Sequence, residues 1–144
     1  MNIAQWENYT LWAQEAQHRG DHVMSMAFYQ QALAQAMMAD LAQAENSEWL
    51  SIKVISCHNL AEFWRQQNEP DLELHYLQLA QEAVSVSIPH CQHQDCDTYV
   101  ENLGCCKAAL VNYLKRHPNP LVAQSVQHLH SADHCQLIAR FQLQ

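Results

Sequence analysis

Gly20 and Asp21 interrupt the chain where nothing else nearby would. Before them, Trp6, Tyr9, Trp12, Ala13 and Ala16 recur at helical spacing from about Ile3 to His18. After them, neither Gly nor Pro occurs for many residues. Glycine supplies the φ > 0 position that ends a helix, and an Asp side chain caps the free N–H groups of the next one. The pair therefore predicts the turn of a helical hairpin. One hairpin cannot bury its apolar face alone, so further helices must stack on it.

Composition supports that demand. Only two Gly and four Pro occur among 144 residues, while Ala, Leu and Gln recur throughout. Such a chain favours an all-α domain over a sheet. β-branched alternation is confined to Ser85-Val86-Ser87-Ile88. The length suits one domain over residues 1–144 and buries roughly 70% of the unfolded surface.

Later start and stop signals divide the rest of the chain. The second helix is expected from after Asp21 to about Ala44. Asn46 or Ser47 caps a third helix carrying Trp49, Leu50, Ile52, Val54, Ile55, Leu60, Phe63 and Trp64. Asn68-Glu69-Pro70-Asp71 is a second turn, because Asn tolerates the left-handed region and Pro fits a first helical turn. A fourth helix follows to about Val86, then a loop from Ile88 to Gln94 around Pro89. Asp95 or Asp97 caps a fifth helix to about Arg116, where Lys115, Arg116 and His117 suit the negative end of the helix dipole. His117-Pro118-Asn119-Pro120 opens a sixth helix with Leu121, Val122, Val126 and Leu129. Ser131 or Asp133 could cap a closing helix with Leu137, Ile138 and Phe141.

The stretch Gly20-Asp21 through Leu33 resembles the tetratricopeptide repeat, with Ser25 at its small position, Tyr29 at its aromatic one and Ala32-Leu33 at its Ala-Leu pair. Asn59-Leu60-Ala61 with Trp64 resembles the first helix of a second copy, and Asn102-Leu103-Gly104 echoes it. The spacing departs from the repeat. Trp12 to Leu60 is 48 residues and Leu60 to Leu103 is 43, against about 34 for a standard unit. Glu73 also stands where a small residue is expected. The resemblance implies three stacked antiparallel hairpins in a right-handed superhelix with a C-terminal closing helix. It also implies a small uncharacterised bacterial family of such proteins.

In that repeat family the first helix of each pair lines a concave groove. The resemblance places Glu7, Thr10, Gln14 and Gln17 there from the first unit, and Ile55, His58, Glu62 and Arg65 from the second. Long polar side chains on a preformed helical wall suit a bound peptide segment. The plainer account is an ordinary solvated face. The Lys and Asn clamp that some members use for a terminal carboxylate has no counterpart at these positions.

Charge narrows the partner. The formal charge is −8, and residues 1–82 carry 11 acidic against 3 basic side chains, while residues 83–144 carry 4 of each. An acidic surface excludes nucleic acid and anionic membrane as expected partners. It suits a basic protein or peptide, or it simply keeps the protein soluble. A homo-oligomer is left open.

His90, Cys91, His93, Asp95 and Cys96 are zinc-ligand types in one segment, and His128, His130, His134 and Cys135 form a second group. Neither spacing is specific, and the expectation is no metal and no cofactor. Cys57, Cys105 and Cys106 fall in helical patterns and read as buried apolar thiols. No phosphate-binding Gly loop occurs, and no carboxylate pair or Cys-His arrangement is singled out.

Met1 to Trp12 has neither the basic residues nor the apolar run of a signal or transit peptide. No stretch approaches about 18 apolar residues. Six Cys then read as reduced thiols in the cytoplasm. The sequence thus predicts a non-enzymatic interaction module, an adaptor binding a protein segment. The alternative is a thiol- or metal-responsive regulator using residues 90–96.

Overall fold

The computed structural model describes residues 3–38, 47–87 and 96–128. Six helices account for nearly all of them: α1 Ile3–His18, α2 His22–Met37, α3 Ser47–Gln66, α4 Pro70–Ser87, α5 Cys96–Arg116 and α6 Pro120–His128. No strand occurs among the described residues. None of these helices is long and apolar enough to cross a membrane.

The two best-defined turns share one backbone solution. Gly20 has φ 76°, and the N–H groups of Gly20 and Asp21 donate to the carbonyls of Gln17 and Ala16 at 3.0 and 2.9 Å. Asn68 has φ 58°, and the N–H groups of Asn68 and Glu69 donate to Arg65 and Trp64 at 3.1 and 3.0 Å. Both are Schellman closures, in which a left-handed residue lets two N–H groups reach back to the last free carbonyls. Asp21 then caps α2, its Oδ1 accepting from the Met24 N–H at 3.2 Å. Asn119 does the same for α6, accepting from Leu121 and Val122 at 3.1 and 3.3 Å.

Each turn folds the next helix back on its predecessor, so α1 packs on α2 and α3 on α4. Small residues set the closeness of the first pair. Ala13, Ala16 and Ser25 are fully buried, and the Ser25 hydroxyl donates to the Ala13 carbonyl at 2.9 Å. Helix α2 also packs on α3, and α5 packs on α3, α4 and α6. The core therefore centres on α3, whose Leu50, Val54, Cys57, Leu60, Ala61 and Phe63 are all buried. Helix α5 buries Tyr99, Leu103, Cys106, Leu110 and Tyr113, a stripe that steps by four and three residues along one face. Val122 and Val126 of α6 continue it. A smaller cluster of Ala36, Trp49 and Ile52, with Ile3 and Trp6 against it, closes one end.

Three local expectations are corrected. Helix α2 ends at Met37 rather than running to Ala44, and the Met38 N–H is shared between the Ala34 and Gln35 carbonyls as the last turn tightens. Tyr9 and Trp12 follow the helical period, yet Trp12 is 44% exposed. Trp12 instead meets Tyr9 and Phe28 at ring-centroid distances of 5.6 and 5.7 Å, on the outer side of the first hairpin. Cys105 is exposed, because the 100° step between helical neighbours turns it away from the side on which Cys106 is buried.

The loop from Ile88 to Gln94 and the closing helix expected after Ser131 or Asp133 lie outside the described residues.

Candidate partner-binding face

The residues expected to face a partner occupy two helices. On α1, Glu7 and Gln14 are exposed, whereas Thr10 and Gln17 are half-buried. Thr10 turns its hydroxyl back onto its own helix, donating to the Trp6 carbonyl at 3.0 Å. On α3, the side chains of Glu62 and Arg65 are 53% and 52% exposed and face each other across one turn at 3.5 Å. Ile55 is exposed on the same helix. An exposed pair of this kind contributes only about 0–1 kcal/mol to stability.

Hydrogen bonds join the two helices. The Gln17 amide donates to Gln66 Oε1 at 2.5 Å, and the Gln66 amide donates to Glu62 Oε1 at 3.3 Å. Tyr29 donates to Gln17 Oε1 at 3.3 Å from the neighbouring α2. The first and second groups of expected residues thus meet through Gln66, which the sequence did not single out. Further along the same pair of helices, the Trp6 indole donates to Ser56 Oγ at 2.7 Å. Between α5 and α3, the buried Asn102 amide donates to Ser51 Oγ at 3.1 Å.

His58 departs from a solvated groove residue. It is half-buried, its Nε2 has no hydrogen-bond partner among the described residues, and burial lowers its pKa. It presents a neutral ring to its surroundings rather than a charge.

Arg65 leads into a cavity of about 460 Å³ that the sequence did not indicate. The cavity is lined by Arg65, Asn68, Glu69, Pro70, Glu73, Arg116 and His117. Its wall holds a forked ion pair. Arg116 Nη1 donates to Glu73 Oε1 at 3.0 Å and Nη2 to Oε2 at 2.5 Å. The Glu73 side chain is 5% exposed and that of Arg116 31%. The hydrogen bond to Glu73 holds the Arg116 pKa above its ordinary value, with the fields of Glu73 and Glu62 adding to it against the cost of burial. The guanidinium also lies 5.9 Å from the centroid of the Tyr113 ring. Burial, with the charges of Asp71 and Glu73, raises the Tyr113 pKa, while Arg116 opposes them.

Nothing in this arrangement resembles a nucleophile with its base. Cys57 and Cys106 are fully buried, and their pKa values are pushed up to about 12, first by burial and then by the neighbouring thiols Cys106 and Cys105 respectively. A thiol so far from ionisation is a packing group. Among the described residues no three His, Cys, Asp or Glu side chains gather as metal ligands. Residues 90–95, the side chains of Cys96 and His128, and His130, His134 and Cys135 lie outside the described residues, and with them the thiol- or metal-responsive alternative.

Comparison with known proteins corrects the family resemblance. Residues 4–144 match a family described as protein of unknown function, DUF2753, and not the tetratricopeptide repeat. The chain is 44% identical over 142 residues to an uncharacterised protein of Vibrio parahaemolyticus, covering 98% of this chain and 99% of that one. No solved structure matches. The local likeness has a physical origin. A left-handed turn residue, an Asp cap and a small buried residue at the helix crossing are what any tight antiparallel hairpin requires. The second hairpin shares the left-handed closure, at Asn68, but buries Glu73 where the repeat's pattern has a small residue. By its match over residues 4–144, the chain belongs to the DUF2753 family.

Proposed function

We propose that this protein is a non-enzymatic interaction module that binds a protein segment across α1 and α3. The segment lies over Glu7, Gln14, Gln17, Glu62 and Arg65, with Ile55 as an apolar contact. Helices α1, α3 and α5 act together as one concave wall, and the module works in the cytoplasm. The carrying observation is the relay from Gln17 through Gln66 to Glu62, which ties polar side chains of two helices into one surface. Such a surface is preorganised, so less side-chain freedom is lost when a partner settles on it. The acidic first half supplies the steering charge for a basic segment.

The test is a double change, Glu62→Ala with Arg65→Ala. A peptide library is panned on the full chain, and selected peptides are then titrated by fluorescence anisotropy. Normal melting with clearly weaker binding, and binding that falls as salt rises, is the expected result. Equal binding by wild type and the double variant would defeat the assignment.

A further inference from the structure

The cavity beyond Arg65 has a definite charge account. Two guanidiniums, Arg65 and Arg116, stand against the carboxylates of Glu69 and Glu73 in the lining. Both guanidiniums are already engaged. Arg116 is forked onto Glu73, and Arg65 faces Glu62 at 3.5 Å. Glu69 is exposed, and its carboxylate makes no ion pair or side-chain hydrogen bond among the described residues. From outside the lining, the field of Glu62 also reaches Arg116. The two guanidiniums and two carboxylates of the lining balance, and of these four Glu69 is the one with no partner among the described residues.

The backbone adds to this. Arg65 and Asn68 come from the C-terminal end of α3, and Arg116 and His117 from that of α5. Helix C-termini carry partial negative charge and favour cations. Only the N-terminus of α4, at Glu69 and Pro70, works the other way, and its first helical residue is a proline without an N–H.

We propose that this cavity is the anchor pocket for a basic side chain, Arg or Lys, of the bound segment, with the Glu69 carboxylate as its acceptor. The assignment rests on the segment-binding reading above and states its chemistry. The Glu73–Arg116 pair forms the rigid wall, and the incoming cation completes the pairing that Glu69 lacks. A cavity of about 460 Å³ has room for one such side chain and the water that accompanies it. An acidic side chain would instead meet an unpaired carboxylate with both guanidiniums occupied.

The test uses four acetylated, amidated alanine pentapeptides whose central residue is Arg, Lys, norleucine or Glu. Each is titrated into the ¹⁵N-labelled full chain and followed by NMR. Arg and Lys peptides should shift the amides of Asn68, Glu69, Glu73 and His117, and the norleucine and Glu peptides should not. Glu69→Gln should weaken the Arg peptide about fivefold with the spectrum otherwise retained, the size of one well-placed exposed ion pair. Stronger shifts from the Glu peptide, or undiminished Arg binding by Glu69→Gln, would overturn the assignment. Two outcomes separate it from the broader reading. Shifts at Glu7 and Gln14 without the cavity residues sink the anchor and leave the wider face standing. Shifts confined to the cavity keep the anchor and remove that face.

Discussion

Arg116 of α5 grips the Glu73 carboxylate of α4 with both terminal nitrogens, at 3.0 and 2.5 Å, although the two residues are 43 positions apart. Their burial is unequal: the Glu73 side chain is 5% exposed and that of Arg116 31%. Removing the guanidinium strands a buried charge, whereas removing the carboxylate leaves a cation that water can still reach. Arg116→Ala should therefore destabilise the protein more than Glu73→Ala. Loss of hydrogen bonds to a charged group predicts about 1.5–3 kcal/mol for the latter. Glu73→Leu with Arg116→Leu should cost less than the two single leucine changes together. Urea unfolding of the set checks the order, and equal costs for the two alanine variants would contradict it.

The left-handed turn residues make opposite predictions. Gly20→Val should destabilise by at least about 1 kcal/mol, because a side chain at φ 76° is strained even where space is open. Asn68→Gly should be neutral or slightly stabilising, since glycine relieves the remaining strain at φ 58°. Thermal melting of both variants is sufficient. A harmless Gly20→Val would show that the turn does not require the left-handed backbone.

Gly104 sits inside α5, and an added Cβ would meet nothing within 4 Å. Gly104→Ala should stabilise by about 0.5–1 kcal/mol, through the entropy that glycine loses in a helix. A lower midpoint in urea would point to a contact at this site that alanine disturbs.

Two buried thiols and a half-buried imidazole contribute to the pH dependence. Native Cys57 and Cys106 ionise only near pH 12, but in the unfolded chain near 9.0. Between those values the unfolded state binds fewer protons, so stability falls as pH rises above about 9. His58 has a native pKa below its ordinary 6.5. The unfolded state therefore takes up the extra proton first, and this contribution is lost as pH drops below about 6.5. Cys57→Ala should flatten the alkaline limb and His58→Gln the acid limb, measured by urea midpoints across pH. Peptide-level mass spectrometry of thiol labelling near pH 8 should find Cys105 modified quickly and Cys57 and Cys106 only on unfolding. Fast native labelling of Cys57 would contradict its burial.

Much of the architecture was legible because the determinants were local. The breaks at Gly20-Asp21 and Asn68-Pro70 follow from backbone preference, and the structure places helix ends there. The stripe from Tyr99 to Tyr113 follows from periodicity alone. Family membership was not legible, because the same local rules serve every tight helical hairpin.

The sequence by itself determined the helical character of the described residues, the turns at Gly20 and Asn68 and most of the buried apolar residues there, since these depend on neighbours a few residues apart. Only the tertiary structure decided what the polar residues do. Glu73 reads as a misfit until α5 brings Arg116 to it, and Gln66 reads as surface until α1 brings Gln17. Trp12 has the period of a core residue but is 44% exposed, because no other described helix covers the outer side of the first hairpin. These outcomes depend on which helices meet across 40 or more residues, and helical periodicity contains no information about that pairing.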